Sequence, residues 1–267
     1  LRDADEQIRI ARSDGAEIAV WAGGGGPPVV LVHGSLRDHR SFDALVPSLR
    51  PQFRTFALDR RGYGASRDGD AYAIERESDD VAAVVDAISV RTQSPVTLFG
   101  HSYGAGVALG AACRTDAVHR LVLYEPGLGI RYPPGWIDAQ AQALADGDVD
   151  GVVRAVLGDI LDMPAQDIEA RRATPRWAEY RAAAPLVLRE ARVEDAWVYR
   201  RSDFDALQAR TLLVAGSASG SALADATAQA AAAIPGARRL ALEGHGHLAH
   251  LTAPALLARV IRDFALG

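Results

Sequence analysis

The sequence predicts an α/β fold, a mainly parallel, doubly wound sheet with a helical segment inserted as a cap. Three observations carry this reading. From Val29 onward, short apolar runs of strand type alternate with helical patterns, the order that builds a parallel sheet covered on both faces. Between Pro126 and about Leu207 that rhythm lapses into Ala- and Arg-rich helical segments punctuated by Pro133-Pro134, Pro164, Pro175 and Pro185. Gly100-His101-Ser102-Tyr103-Gly104 follows the apolar run Val96-Thr97-Leu98-Phe99 and opens an Ala-rich helix, the setting of a serine on a sharp strand-to-helix turn.

The elements follow in order. Gln7 to Arg12 and Glu17 to Trp21 alternate in polarity around Ser13-Asp14-Gly15 and read as an antiparallel hairpin, with Gly23 to Gly26 as connector. Val29 to Val32 is a continuous apolar run of buried-strand type, Phe42 to Leu49 has helical spacing, and Arg54 to Leu58 is the next strand. Ile74 to Ile88 is a helix, Val96 to Phe99 a strand, Ala105 to Cys113 a helix and Leu121 to Tyr124 a strand. After the helical segment come the strand Thr211 to Ala215, the helix Leu223 to Ile234, the strand Arg239 to Leu242 and the helix Ala255 to Phe264. Alanine is the strongest helix former, which settles the Ala222 to Ala233 stretch as helix. The division is a core of residues 1–126 and 208–267 with a cap of residues 127–207.

A serine hydroxyl is a poor nucleophile at neutral pH and needs a base, which in turn needs an orienting group. Of the seven histidines, His247 in Gly244-His245-Gly246-His247 is best placed, in a loop after the last strand, with His245 and His250 as competitors. The glycines flanking Ser102 fit a turn that brings backbone segments too close for side chains. His33 and His101 read as structural, Asp59 as a loop-ordering residue partnered by Arg60 or Arg61, and Cys113 as core. Trp136, Trp177, Tyr180, Trp197 and Tyr199 are candidates to line a pocket beneath the cap.

At this point the chain resembles the α/β-hydrolase superfamily over nearly its whole length. The resemblance rests on His33-Gly34, Asp59-Arg60-Arg61-Gly62-Tyr63-Gly64-Ala65-Ser66, Gly100 to Gly104 and Gly244-x-Gly246-His247, in that order. It implies the α/β-hydrolase fold, Ser102 as nucleophile, His247 as base, and the backbone N–H groups of Ser35 and Tyr103 as the oxyanion hole. Side chains at Ser35 and Tyr103 would then tune the pocket. The commonest family pattern places an acid after the penultimate strand, yet Gly216-Ser217-Ala218-Ser219-Gly220-Ser221 holds no carboxylate. Some members, haloalkane dehalogenases among them, place it one strand earlier, which points to Glu125; Asp225, or a Ser-His dyad assisted by water, are the alternatives. A serine in place of the aspartate nucleophile of dehalogenases and epoxide hydrolases implies acyl transfer, foremost hydrolysis of a carboxylic ester, lactone or thioester of a small to medium hydrophobic substrate. Carbon–carbon bond hydrolysis, perhydrolysis, acyl transfer to another acceptor, or a ligand-binding member with weakened catalysis use the same motifs.

Composition narrows the rest. The 267 residues suit one large domain, and 49% hydrophobic content is ample for a core. Net charge is −5 and every one of the 29 basic residues is arginine, scattered without a basic stripe, which gives no support to nucleic-acid binding. No apolar run approaches the ~20 residues that span a bilayer, and Leu1-Arg2-Asp3-Ala4-Asp5-Glu6 lacks the order of a secretion signal, so the expected location is cytoplasmic. The lone cysteine excludes an internal disulfide and a multi-cysteine metal site. No metal or organic cofactor is indicated, the expected partner is a small-molecule substrate rather than nucleic acid or membrane, and oligomeric state is left open.

Overall fold

The computed structural model describes residues 6–267, so the reading of Leu1 to Asp5 lies outside the described residues. Eight strands form one sheet in the order β1-β2-β4-β3-β5-β6-β7-β8. β1 (Glu6–Ala11) and β2 (Glu17–Gly23) make the antiparallel hairpin, and β2 joins β4 antiparallel. β3 (Pro28–Val32), β4 (Arg54–Leu58), β5 (Val96–His101), β6 (Val118–Tyr124), β7 (Arg210–Gly216) and β8 (Arg238–Leu242) are mutually parallel. The continuous apolar runs are explained by burial on both faces. Val29, Leu31 and Phe99 pack on one side with Phe42, Leu45 and Ile261, while Val30, Val32 and Leu98 pack on the other with Val81, Val85 and Val107.

The segment expected as one helix over Phe42 to Leu49 is split. A 3₁₀ turn at His39–Phe42 is capped by the Asp38 carboxylate, and a separate short helix, α1 (Val46–Leu49), begins with Pro47 in its first turn. Proline lacks the N–H that a continuous helix would need there. α2 (Ile74–Thr92) and α3 (Tyr103–Ala112) cover one face of the sheet.

Between β6 and β7 the chain forms α4 (Trp136–Ala145), α5 (Val149–Ala155), one π turn at Val156–Ile160, α6 (Ala165–Arg172) and α7 (Arg176–Ala196). These helices have a core of their own, built around Val152, Val153, Tyr180, Ala184 and Val187. Pro185 lies inside α7 rather than ending it. It forfeits one backbone hydrogen bond, but Ala183, Ala184, Val187 and Leu188 on the same stretch are buried in that core, which holds the helix together across the proline. The chain finishes with α8 (Ser221–Ala233), α9 (Ala249–Thr252) and α10 (Pro254–Leu266). Among the described residues no helix is long and apolar enough to cross a membrane. Cys113 is half-buried at the edge of the core, and burial pushes its thiol pKa up.

Candidate active site

β5 ends at His101, and Ser102 occupies φ +57°, ψ −129°, a backbone conformation that non-glycine residues rarely adopt. The turn is held by Ser102 N–H donating to Tyr124 O at 2.9 Å and by Ala105 N–H donating to Ser102 O at 2.9 Å. A Cβ at Gly100 would lie 2.6 Å from Ala105 Cα, and one at Gly104 2.1 Å from His33 O. Both glycines are therefore required by close backbone approach. Gly34 is constrained in the same way, since a Cβ there would lie 2.8 Å from Ser102 Cβ.

The loop between β8 and α9 brings His247 to the same end of the sheet. His247 Nδ1 lies 2.7 Å from Glu125 Oε2, and the Gly216 N–H donates to Glu125 Oε1 at 2.6 Å. Glu125, directly after β6, is buried with φ +46°, and its own N–H donates to Val214 O at 3.0 Å. Its carboxylate thus fills the space at the end of β7 where the Gly216–Ser221 loop has no acid. A carboxylate only accepts hydrogen bonds, so the His247 proton sits on Nδ1 and Nε2 is left with its lone pair. Asp225 is exposed on α8, away from this contact.

Two side chains whose part was not legible from the motifs hold the His247 loop. His101 Nε2 lies 2.8 Å from His247 O, and Tyr124 donates its hydroxyl to Gly246 O and accepts from Ala249 N–H at 3.2 Å. Tyr124 immediately precedes Glu125, so one strand end fixes both partners. Burial keeps the His101 pKa well below its ordinary value and presses His250 to about 3, so both rings stay neutral. His245 lends its carbonyl to Ala218 N–H at 3.0 Å.

The loop after β3 carries Ser35, whose backbone follows Gly34. Arg60 braces it: Nε donates to His33 O at 2.9 Å, Nη2 reaches Gly34 O at 3.3 Å, and Arg60 N–H donates to His33 Nε2 at 3.0 Å. The guanidinium is clamped by Glu77 at 2.9 Å and by Glu190 of α7 at 2.7 Å. Asp59 orders its loop as expected, but its partners are His39 N–H and Ala65 N–H, both at 2.7 Å, rather than an arginine. Arg60 and Arg61 are drawn away to carboxylates on α2, α7 and the β1–β2 turn. Tyr103 is the first residue of α3, where backbone N–H groups have no intrahelical acceptor. Its side chain is fully buried, hydrogen-bonded to the Tyr72 hydroxyl and under the Arg60 guanidinium at 5.0 Å, and so does not shape the pocket.

Ser35, Ser102 and His247 line one cavity with mainly apolar walls, including Leu157, Ile160 and Met163 from the cap and Leu223 from α8. Its free volume of about 50 Å³ is far below the several hundred Å³ of open ligand pockets, so it admits a small molecule or requires the cap to shift. Of the five aromatics singled out in the sequence, Tyr180 reaches it. Trp136 and Trp177 instead donate to Asp159 at 2.8 Å and Asp150 at 2.9 Å inside the cap, and Trp197 and Tyr199 pack against the main core. Their aromatic character made all five candidates to line a pocket without saying which core receives each one.

Glu194 also lines the cavity, with Tyr132 donating its hydroxyl to it. Burial, reinforced by nearby Glu190, pushes its pKa up from 4.5 to about 8. Between pH 4.5 and 8 the unfolded chain has released this proton while the folded chain retains it, so stability falls as pH rises through that window and levels off above it. Glu194→Gln keeps an acceptor for Tyr132 and removes that slope. Its expected gain over the parent grows from near zero at pH 4.5 to roughly 3 kcal/mol at pH 7, measured by urea unfolding across the range; a pH-independent difference would show that Glu194 is ionised in the fold.

Asp38, His39 and Asp59 bring potential metal-ligand atoms within 4.8 Å of one another. Their atoms are already engaged, Asp38 with Arg40 and Asp59 with His39 and Ala65, which leaves the group poorly suited to an ion.

The model of the α/β hydrolase fold family matches residues 27–254. The crystal structure of an α/β hydrolase from Sphaerobacter thermophilus superposes with a TM-score of 0.83 at 31% identity, covering 97% of this chain and 100% of that one. Among curated proteins, Lipase LipV of Mycobacterium tuberculosis is 34% identical over 161 residues, 59% of this chain and 54% of that protein. The probable oxidoreductase EphD of the same organism is 38% identical over 97 residues, 34% of this chain and 16% of that protein. These matches cover no more than about half the length of the curated relatives. The family match over most of the chain and the full-length structural likeness agree with the geometry at the ends of β5, β6 and β8: the chain belongs to the α/β hydrolase fold family.

Proposed function

We propose that the protein is a serine hydrolase that cleaves a carboxylic ester, lactone or thioester of a small substrate through an acyl-enzyme on Ser102. The observation that carries this reading is the 2.7 Å contact between Glu125 and His247 Nδ1, which leaves Nε2 basic in a cavity that Ser102 also lines. Ser102 Oγ attacks the carbonyl carbon as His247 Nε2 takes its proton. The oxyanion is met by the N–H groups of Tyr103 and Ser35, and Glu125 stabilises the imidazolium. Collapse expels the alcohol or thiol, which leaves with the proton from His247. Water then gives a proton to His247 and attacks the acyl carbon; the acid departs and Ser102 recovers its proton. The lipase among the relatives is consistent with hydrolysis.

Ser102→Ala is expected to lower kcat on short-chain nitrophenyl esters at least about 10³-fold with little change in melting temperature. Labelling by a small fluorophosphonate is expected in the parent and lost in the variant. Retained turnover in the variant, or no labelling of the parent, would remove Ser102 as nucleophile.

A further inference from the structure

Among the described residues, one cation in the cavity wall has a buried guanidinium nitrogen without an acceptor. Arg37, two residues beyond Ser35, lines the cavity with Ser102 and His247, and its Nη1 is shielded from solvent with no hydrogen-bond partner. Its guanidinium carbon lies 5.4 Å from the ring centroid of Tyr180, whose hydroxyl is likewise buried, unpartnered and part of the same wall. The preceding Leu36 has φ +57°, a left-handed conformation unfavourable for leucine, within the loop that carries both Ser35 and Arg37. Asp38 does not hydrogen-bond to it; its carboxylate is bound by Arg40 Nε at 3.0 and 3.1 Å.

Two buried donors in one cavity wall, both without acceptors, form a site missing its acceptor. We infer that Arg37 and Tyr180 bind a carboxylate carried by the substrate, so that the preferred esters are small and singly anionic. One cation with an open donor matches one negative charge; a phosphate dianion would leave a second charge unpaired among apolar walls. Competing anions are absent from this wall. Glu194 holds its proton up to about pH 8, and Glu125 is engaged with Gly216 and His247. The free volume of about 50 Å³ restricts the substrate to the smallest carboxylate esters, taken up with a shift of the helices over the cavity.

The inference rests on the ester-hydrolase reading only for the word substrate, and its test does not depend on turnover. Binding of monomethyl succinate and of dimethyl succinate to the Ser102→Ala protein at pH 7 is measured by calorimetry. The anion is expected to bind at least about tenfold tighter than the neutral diester, the scale of one charge-assisted contact. Adding Arg37→Met should reduce that preference at least about tenfold, and Tyr180→Phe should reduce it about threefold. Equal binding of the two compounds, or a preference that survives Arg37→Met, overturns the subsite. The preference in the Ser102→Ala protein decides the matter even if Arg37→Met does not fold. Absence of fluorophosphonate labelling with the anion preference intact would overturn the reaction and leave the subsite standing, whereas labelling without the preference would do the reverse.

Discussion

Glu125→Gln is expected to lower kcat on nitrophenyl acetate by about 10⁴-fold, the scale seen when a triad acid becomes an amide, with KM and melting temperature little altered. The reason lies in the second contact of this carboxylate. Gly216 N–H donates to Oε1 at 2.6 Å and is buried, so it will hold the amide oxygen of a glutamine in that position. The amide NH₂ is then turned toward His247 Nδ1, 2.7 Å away in the parent. An NH₂ group can only donate, which forces Nδ1 to accept and puts the imidazole proton on Nε2. A histidine in that tautomer cannot take the proton from Ser102. Asp225→Asn, on the exposed face of α8, should leave kcat within twofold and serves as the control. Turnover within tenfold of the parent in Glu125→Gln, or a large loss in Asp225→Asn, would displace Glu125 from its proposed role.

The choice of His247 over His245 and the placing of the acid at Glu125 came from the resemblance to the α/β-hydrolase superfamily, but the succession of strands and helices along the chain and the sharp turn at Ser102 were legible because they follow local rules: apolar runs, helical spacing and flanking glycines. Each feature can be read within a few residues of chain. What could not be read is whatever depends on partners distant in sequence. Glu190 reaches Arg60 across 130 residues, and no spacing rule links them. The same holds for Trp197 and Tyr199, which lie in the helical segment but pack against the main core. Tyr103 illustrates the finer limit. Its backbone position followed from the turn, but the burial of its ring under Arg60 followed only from the approach of α2 and α7. The short helices around Pro47 were misread because apolar spacing continues through a proline that the backbone cannot follow.

That Arg60 cluster is where the largest stability effect is expected. Arg60→Met keeps an unbranched stem of similar reach but leaves the Glu77 and Glu190 carboxylates, each no more than 1% exposed, without their shared cation. Removing one partner of a buried ion pair typically costs about 3–5 kcal/mol, because the remaining charge is neither hydrated nor matched. Here two carboxylates are orphaned together, so the loss should lie at the upper end of that range, read from urea unfolding with the slope checked for two-state behaviour. Arg60→Lys should rescue little of it. A single ammonium cannot reproduce the planar fork that meets Glu77, Glu190 and the carbonyls of His33 and Gly34 at once. The double variant Arg60→Met, Glu190→Gln should be more stable than Arg60→Met alone, since it removes one of the two unpaired charges while the glutamine can still accept from the Tyr63 hydroxyl, 2.8 Å from Glu190 in the parent. Because Glu190 belongs to α7 and Arg60 braces the loop that carries Ser35, the same substitution should also loosen the cap over the cavity and lower kcat. Unfolding free energy within 1 kcal/mol of the parent would mean that the two carboxylates are protonated in the fold and that Arg60 is not what holds cap and core together.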